Sequence, residues 1–294
     1  MRKLNLVVTC SERKSLPVPA TLQVRSLAAT SPAERIAEWS GRLRGGGSKL
    51  PLTELYRGEH WAQVRGLVET ARARGYEPTL WVASAGLGLR QAGYRAPAYG
   101  ATFAARQPDS VGGSAAERRW WWKGLRDQLG GADLGELPRD GALMIVMSES
   151  YADALGDDLR EAARAVGETL LVGGSADIDG MARVSSDRML AGELGGTLAS
   201  LNVRMATAWL ARLHGSALVN PQLLRDWGAW AASVASEPRQ PGKPMRDDQV
   251  REFIALRRGS ERSRTTLLTE LRASGYACEQ GRFAALYREV RAGA

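Results

Sequence analysis

Leu4-Asn5-Leu6-Val7-Val8-Thr9-Cys10 runs directly into Ser11-Glu12-Arg13-Lys14. The same pattern, a short apolar run breaking into small or polar residues, recurs three times. Leu80-Trp81-Val82-Ala83 meets Ser84-Ala85-Gly86-Leu87-Gly88, Leu143-Met144-Ile145-Val146-Met147 meets Ser148-Glu149-Ser150-Tyr151, and Thr169-Leu170-Leu171-Val172 meets Gly173-Gly174-Ser175-Ala176-Asp177. Continuous apolar runs flanked by helical sequence predict strands of a parallel sheet covered on both faces. The expected fold class is α/β: a mostly parallel sheet with helices on both faces, plus a small C-terminal helical module of helix-turn-helix type. In such sheets ligands bind beyond the carboxyl ends of the strands. The four tails are therefore where functional residues are sought.

Helical periodicity is read over 33–44, 53–74, 115–129, 152–165 and 198–213, the last with Thr197 as its cap. Segments 86–118 and 173–196 read as long irregular loops, which compact domains usually keep for function. An α/β catalytic domain is expected over 1–232. The stretch 233–246, rich in Pro, Gly and charge, reads as a linker. The module 247–294 is expected as helices 247–258, 264–273 and 279–291, separated by Gly259-Ser260 and Ser274-Gly275.

The chain of 294 residues carries a net charge of +8, with a pI near 9.9. That balance suits a polyanionic partner, and double-stranded DNA is the simplest. No membrane association and no obligate protein partner is expected. Cys10, Cys278, His60 and His214 stand far apart, so neither a metal-ligand cluster nor a disulfide framework is read, and no cofactor is expected. Two distant thiols suit the cytoplasm. The apolar start is too short for a signal peptide, and no stretch is long enough to span a bilayer.

The tails supply the candidates. Ser11, Arg13 and Lys14 combine a hydroxyl, backbone amides and cations suited to phosphate, with Glu12 placed to act on water. Ser84 and Gly86 offer a loop that approaches a ligand closely, with Arg90 beside it. Tyr99 and Phe103, near Arg95 and Arg106, suit stacking on a nucleobase. Asp109 and Asp177 can orient water or balance a cationic sugar. Asn202 and Arg204 open a helix that can hold a phosphate or a base edge. In Trp120-Trp121-Trp122 each residue turns about 100° from the last, so at least one indole should reach the surface. In the tail, which holds eleven Lys/Arg against seven Asp/Glu from Lys243 onward, Arg264, Gln280 and Arg282 are candidates for DNA contact.

Cys10-Ser11-Glu12-Arg13-Lys14, Ser84-Ala85-Gly86-Leu87-Gly88-Leu89 and Pro97-Ala98-Tyr99 together resemble the α/β domain of archaeosine-synthase-type proteins and related bacterial defence proteins. The resemblance covers roughly 4–213. Within the defence group it is nearest to phage-restricting DNA glycosylases that remove glucosylated 5-hydroxymethylcytosine. It implies hydrolysis of an N-glycosidic bond in phage DNA, leaving abasic sites, with the nucleotide flipped from the stack. On that reading Asp109, Glu12 and Asp177 are the catalytic candidates, and Ser11, Ser84, Gly86, Tyr99, Phe103 and Asn202 form the base and sugar pocket. Arg13, Lys14, Arg90, Arg204, Arg264, Gln280 and Arg282 would meet phosphate. Two alternatives remain: a DNA-binding regulator with a nucleotide-sensing α/β domain, and a transferase that modifies a tRNA base.

Overall fold

The computed structural model describes residues 1–137, 140–165, 167–215, 217–236, 242–257 and 262–292. The chain divides into two compact units, Met1–Ser236 and Glu237–Ala294.

The first unit is built on a six-stranded sheet. Its strands are β1 (Arg2–Thr9), β2 (Tyr76–Ser84), β3 (Gly88–Gln91), β4 (Ala142–Met147), β5 (Thr169–Gly173) and β6 (Ala182–Val184), in the order β3-β2-β1-β4-β5-β6. Neighbours run parallel except β3, which turns back on β2. Residues 4–8 of β1 and every residue of β4 and β5 are buried, so both faces of the central sheet are covered. The helices are α1 (Pro32–Arg44), α2 (Glu59–Ala73), α3 (Ala115–Leu129), α4 (Glu149–Ala154), α5 (Gly156–Arg164), α6 (Leu201–Ala211) and α7 (Pro221–Val234). One group pairs α2 with α6, and another packs α3 against α1 and α4. From β1 the chain crosses to β2 on one side, then passes to β4 on the other. The carboxyl ends of β1 and β4 therefore flank the switch point where α/β sheets open a crevice.

Several boundaries differ from the sequence reading. The helix expected over 53–74 is broken. A single turn, Leu52–Leu55, precedes α2, and Gly58 between them takes φ +91°. The break turns Tyr56 fully into the core and lets it bridge to Lys14. Segment 86–118 is not all loop, because Gly88 at φ +72° reverses the chain into β3. Four residues are too few to show alternation in the sequence. Over 198–213 a 3-10 turn comes first, and the Thr197 hydroxyl donates to Glu59 Oε2 (2.7 Å) instead of capping the helix. Helix α7, absent from the sequence reading, is capped by Asn220, whose side chain accepts from Leu223 N. Of the tryptophan triplet, Trp121 and Trp122 are buried while Trp120 is 43% exposed.

The linker reading of 233–246 is also corrected. Ser233 and Val234 complete α7, Lys243–Pro244 pairs in parallel with Tyr276–Ala277, and 237–241 lie outside the described residues. The second unit holds α8 (Asp247–Ala255), α9 (Arg264–Ala273) and α10 (Gln280–Ala292). Val250, Ile254, Leu267, Leu271, Phe283 and Leu286 form its own core. Residue 258 and the expected Gly259-Ser260 break lie outside the described residues. Among the described residues no helix is long and apolar enough to cross a membrane.

Candidate active site

Beyond the last residue of β1 the chain is pinned at successive points. Cys10 N donates to Ala83 O of β2 (3.0 Å), the Ser11 hydroxyl to Arg57 O (2.7 Å), and Ser15 N to Leu55 O (2.8 Å). Arg57 N returns a bond to Arg13 O (2.9 Å). Segment 11–15 is thus clamped to the broken helix at 54–58. This clamp forces Lys14 inward. Its Nζ donates to Ser11 O (2.9 Å) and Glu12 O (3.1 Å) and lies 4.6 Å from the centre of the Tyr99 ring.

A second wall comes from 97–111. Gly100 is held on both sides by backbone bonds, donating to Leu22 O (2.7 Å) and accepting from Val24 N (2.9 Å). Thr102 N donates to Asp109 O (2.9 Å), and Val111 N donates to Thr102 O (3.0 Å), closing the loop at its base. Arg106 takes φ +62°, a left-handed conformation that non-glycine residues seldom adopt. The closure swings Asp109 back over Gly100. Its Oδ1 accepts from Arg25 N (3.3 Å) and lies 3.8 Å from Arg25 Nε.

Between these walls lies a cavity of about 440 Å³. Cys10, Glu12, Lys14, Tyr99, Asp109 and Tyr151 line it, with Gln23, Arg25, Thr102 and Gln107 at its sides. It opens at the switch point, because Cys10 follows β1 and Tyr151 stands on α4 just after β4. Cys10 Sγ and the Tyr151 hydroxyl are hydrogen-bonded at 3.2 Å. Burial holds the Lys14 amine below the ordinary lysine range, against the opposing pull of Cys10, Glu12 and Asp109. Burial also pushes the Tyr56, Tyr99 and Tyr151 phenols well above theirs, so all three stay neutral.

Of the sequence candidates, the structure gathers Glu12, Lys14, Tyr99 and Asp109 around this cavity. It assigns several others to different work. Tyr99 is fully buried as the floor, with its hydroxyl shared between Ser84 Oγ and Tyr56 OH (2.6 Å to the latter). It is not placed to stack on a base, since Lys14 covers its ring. Phe103 is also fully buried, edge-on to Tyr151 (5.0 Å between centroids) and Trp122 (6.3 Å). Ser84 Oγ accepts from Gly86 N and Leu87 N, both at 3.1 Å, so it braces its own turn. Gly86 is required by packing, not by a ligand. A Cβ there would meet Tyr99 ring carbons at 2.4 and 2.5 Å, and Trp39 Nε1 donates to Gly86 O (2.8 Å). Ser11 is buried in the clamp. Arg13 lies outside the cavity lining, its stem against Gly58.

Asp177 is separate. It lines another groove, of about 510 Å³, and its exposed carboxylate pairs with Arg183 Nη1 (2.8 Å). Asn202 Nδ2 donates to Met147 O (2.9 Å) and so ties α6 to β4. Arg204 pairs with Glu59, joining α6 to α2. Arg90 donates to Leu129 O (2.7 Å) and Leu87 O (3.1 Å), closing the C-terminal end of α3. In the second unit Arg282 Nε donates to Asp247 Oδ1 (2.6 Å) and its Nη2 to Met245 O (2.8 Å), so its guanidinium ties α10 to the start of α8. Arg264 and Gln280 remain exposed.

Sequence reasoning missed Cys10, Tyr151 and Arg25 as cavity residues. Cys10 and Tyr151 stand in the strand tails and were visible there. Nothing in the sequence joined Arg25 to a residue 84 positions away. Comparison with protein-family models, with curated proteins and with solved structures finds no match.

Proposed function

We propose that this protein hydrolyses the N-glycosidic bond of a modified base in DNA. The observation that carries the reading is the cavity at the switch point, where Glu12 and Asp109 line one space of about 440 Å³. That volume falls within the range of about 300–1,000 Å³ typical of small-ligand sites, and an extruded nucleotide is a ligand of this class.

Departure of the base leaves positive charge on C1′ and O4′ of the deoxyribose. Asp109 is the carboxylate fixed for that charge, because the Arg25 amide and guanidinium hold its Oδ1 and leave Oδ2 for substrate or water. Glu12 is exposed at the rim, suited to orient the attacking water or to protonate the leaving base. The cavity holds no exposed aromatic, so the base is gripped by polar edges such as Gln23, Thr102 and Gln107. The resemblance of the strand tails to the defence glycosylases makes glucosylated 5-hydroxymethylcytosine the first substrate to try. The net charge of +8 suits a DNA partner.

The test is mass spectrometry of bases freed from phage DNA carrying that modification. Asp109→Asn should lower base release by about 10²–10⁴-fold, the range typical of lost acid–base and charge stabilisation. If neither free base nor abasic sites appear from any of several modified phage DNAs, the reading is wrong.

A further inference from the structure

We propose that the Lys14 amine is the nucleophile of this site, attacking C1′ of the deoxyribose so that base excision continues into strand cleavage. This rests on the glycosidic-bond reading and adds a covalent step to it.

The geometry around Lys14 is the argument. Its amine lines the cavity at the tip of the central strand, beside Asp109 and Glu12. Both hydrogen bonds it makes go to backbone carbonyls, Ser11 O and Glu12 O. Among the described residues no carboxylate forms an ion pair with it. Two of its N–H groups are taken by these carbonyls, and what remains of the amine is held by no side-chain acceptor among the described residues. The Tyr99 and Tyr56 rings lie 4.6 and 5.6 Å from Nζ, contacts of the kind that hold a cation, so a base must take its proton before attack, and Asp109 lines the same cavity. A lysine that only staples its own turn needs no opening onto a cavity. Burial lowers the proton affinity of Lys14, which eases transfer of its proton to Asp109.

The step balances without any oxidant or reductant. The Nζ lone pair bonds to C1′ as the C1′–N bond breaks, and the electron pair leaves on the base, which takes a proton from water or Glu12. Asp109 receives the proton shed by Nζ. Opening of the C1′–O4′ bond, with O4′ taking a proton from Asp109, leaves an iminium between C1′ and Nζ. Loss of a C2′ proton expels the 3′ phosphate, and water then hydrolyses the imine and restores Lys14.

The probe is a DNA duplex bearing one abasic site, which removes any dependence on base identity. The full-length protein is incubated with it, and borohydride is added to reduce the iminium to a stable amine. The expected result is a covalent protein–DNA adduct whose peptide mapping places the link on Lys14. Lys14→Arg and Lys14→Met should both lose the adduct while keeping the wild-type melting profile. The mapping of the wild-type adduct needs no variant, so misfolding of either one leaves the test intact. Absence of an adduct, or its mapping to Lys3, Lys49, Lys123, Lys243 or the N-terminus, overturns the proposal. Base release from phage DNA without an adduct overturns the Lys14 step alone and leaves hydrolysis standing. An adduct on Lys14 without base release supports the amine chemistry and tells against base excision.

Discussion

Gly100→Ala is a sharp probe of the carboxylate that the reaction depends on. A Cβ at this position would lie 2.7 Å from Asp109 Oδ2 and 3.1 Å from its carboxyl carbon. The backbone cannot retreat, because Leu22 O and Val24 N hold Gly100 from both sides at 2.7 and 2.9 Å. The carboxylate must therefore yield, by about 0.7 Å to reach ordinary contact at 3.4 Å. Displacements of about 1 Å in a catalytic group cost roughly 100-fold in rate, which sets the expected loss of base release. That loss corresponds to a barrier rise of about 2.7 kcal/mol, and stability should change by less. Overpacking costs about 1–3 kcal/mol, and the lower entropy of the unfolded alanine chain returns about 0.4–1 kcal/mol. The assay pairs single-turnover base release with thermal melting of the same preparation. An unchanged rate refutes the placement of Asp109 at the reacting centre. A rate lost only in step with melting refutes the claim that the substitution acts on the carboxylate.

Two further outcomes follow from buried groups. Tyr99→Phe removes the hydroxyl shared by Ser84 and Tyr56, leaving both inside the core without it; urea unfolding should report a loss of about 1–3 kcal/mol, and an unchanged midpoint would show that the hydroxyls find other partners. Burial pushes the Asp158 carboxyl up to about 6, although Trp122 Nε1 donates to it at 2.8 Å. Its folded-state value lies above the unfolded one, so its contribution to stability is complete below about pH 4 and is lost as pH rises through about 6. Asp158→Asn should flatten that fall in a series of melts from pH 4 to 7, and an unaltered slope would assign it to other groups.

The sheet was legible because its central strands are buried on both faces and so read as unbroken apolar runs. Leu143 to Met147 needed no tertiary information. The antiparallel edge at Gly88–Gln91 was hidden, since a strand of four residues has no period to detect. The break between Leu55 and Glu59 was hidden too. The apolar stripe continues through it, and only the positive φ of Gly58 interrupts the helix. Glu12 and Lys14 from the first tail and Asp109 from the long loop 86–118 line one cavity. The sequence could not tell a ligand-facing side chain from a brace. Ser84, Gly86, Tyr99 and Phe103 carry the chemistry of a binding loop, yet their polar atoms and rings are spent on one another and on Trp39, Trp122 and Tyr151. Asp177 sits at a strand end like the others, but at the far side of the sheet order, where its tail faces a different groove.

The hydroxyl relay of Tyr56, Tyr99 and Ser84 has a kinetic corollary. Its members come from stretches 43 and 15 residues apart, so the chamber floor cannot assemble until three remote stretches have docked. Contacts between remote stretches are slow to form. On dilution from denaturant, catalytic output should therefore return later than far-ultraviolet ellipticity, with the scaffold rising before the workplace it supports.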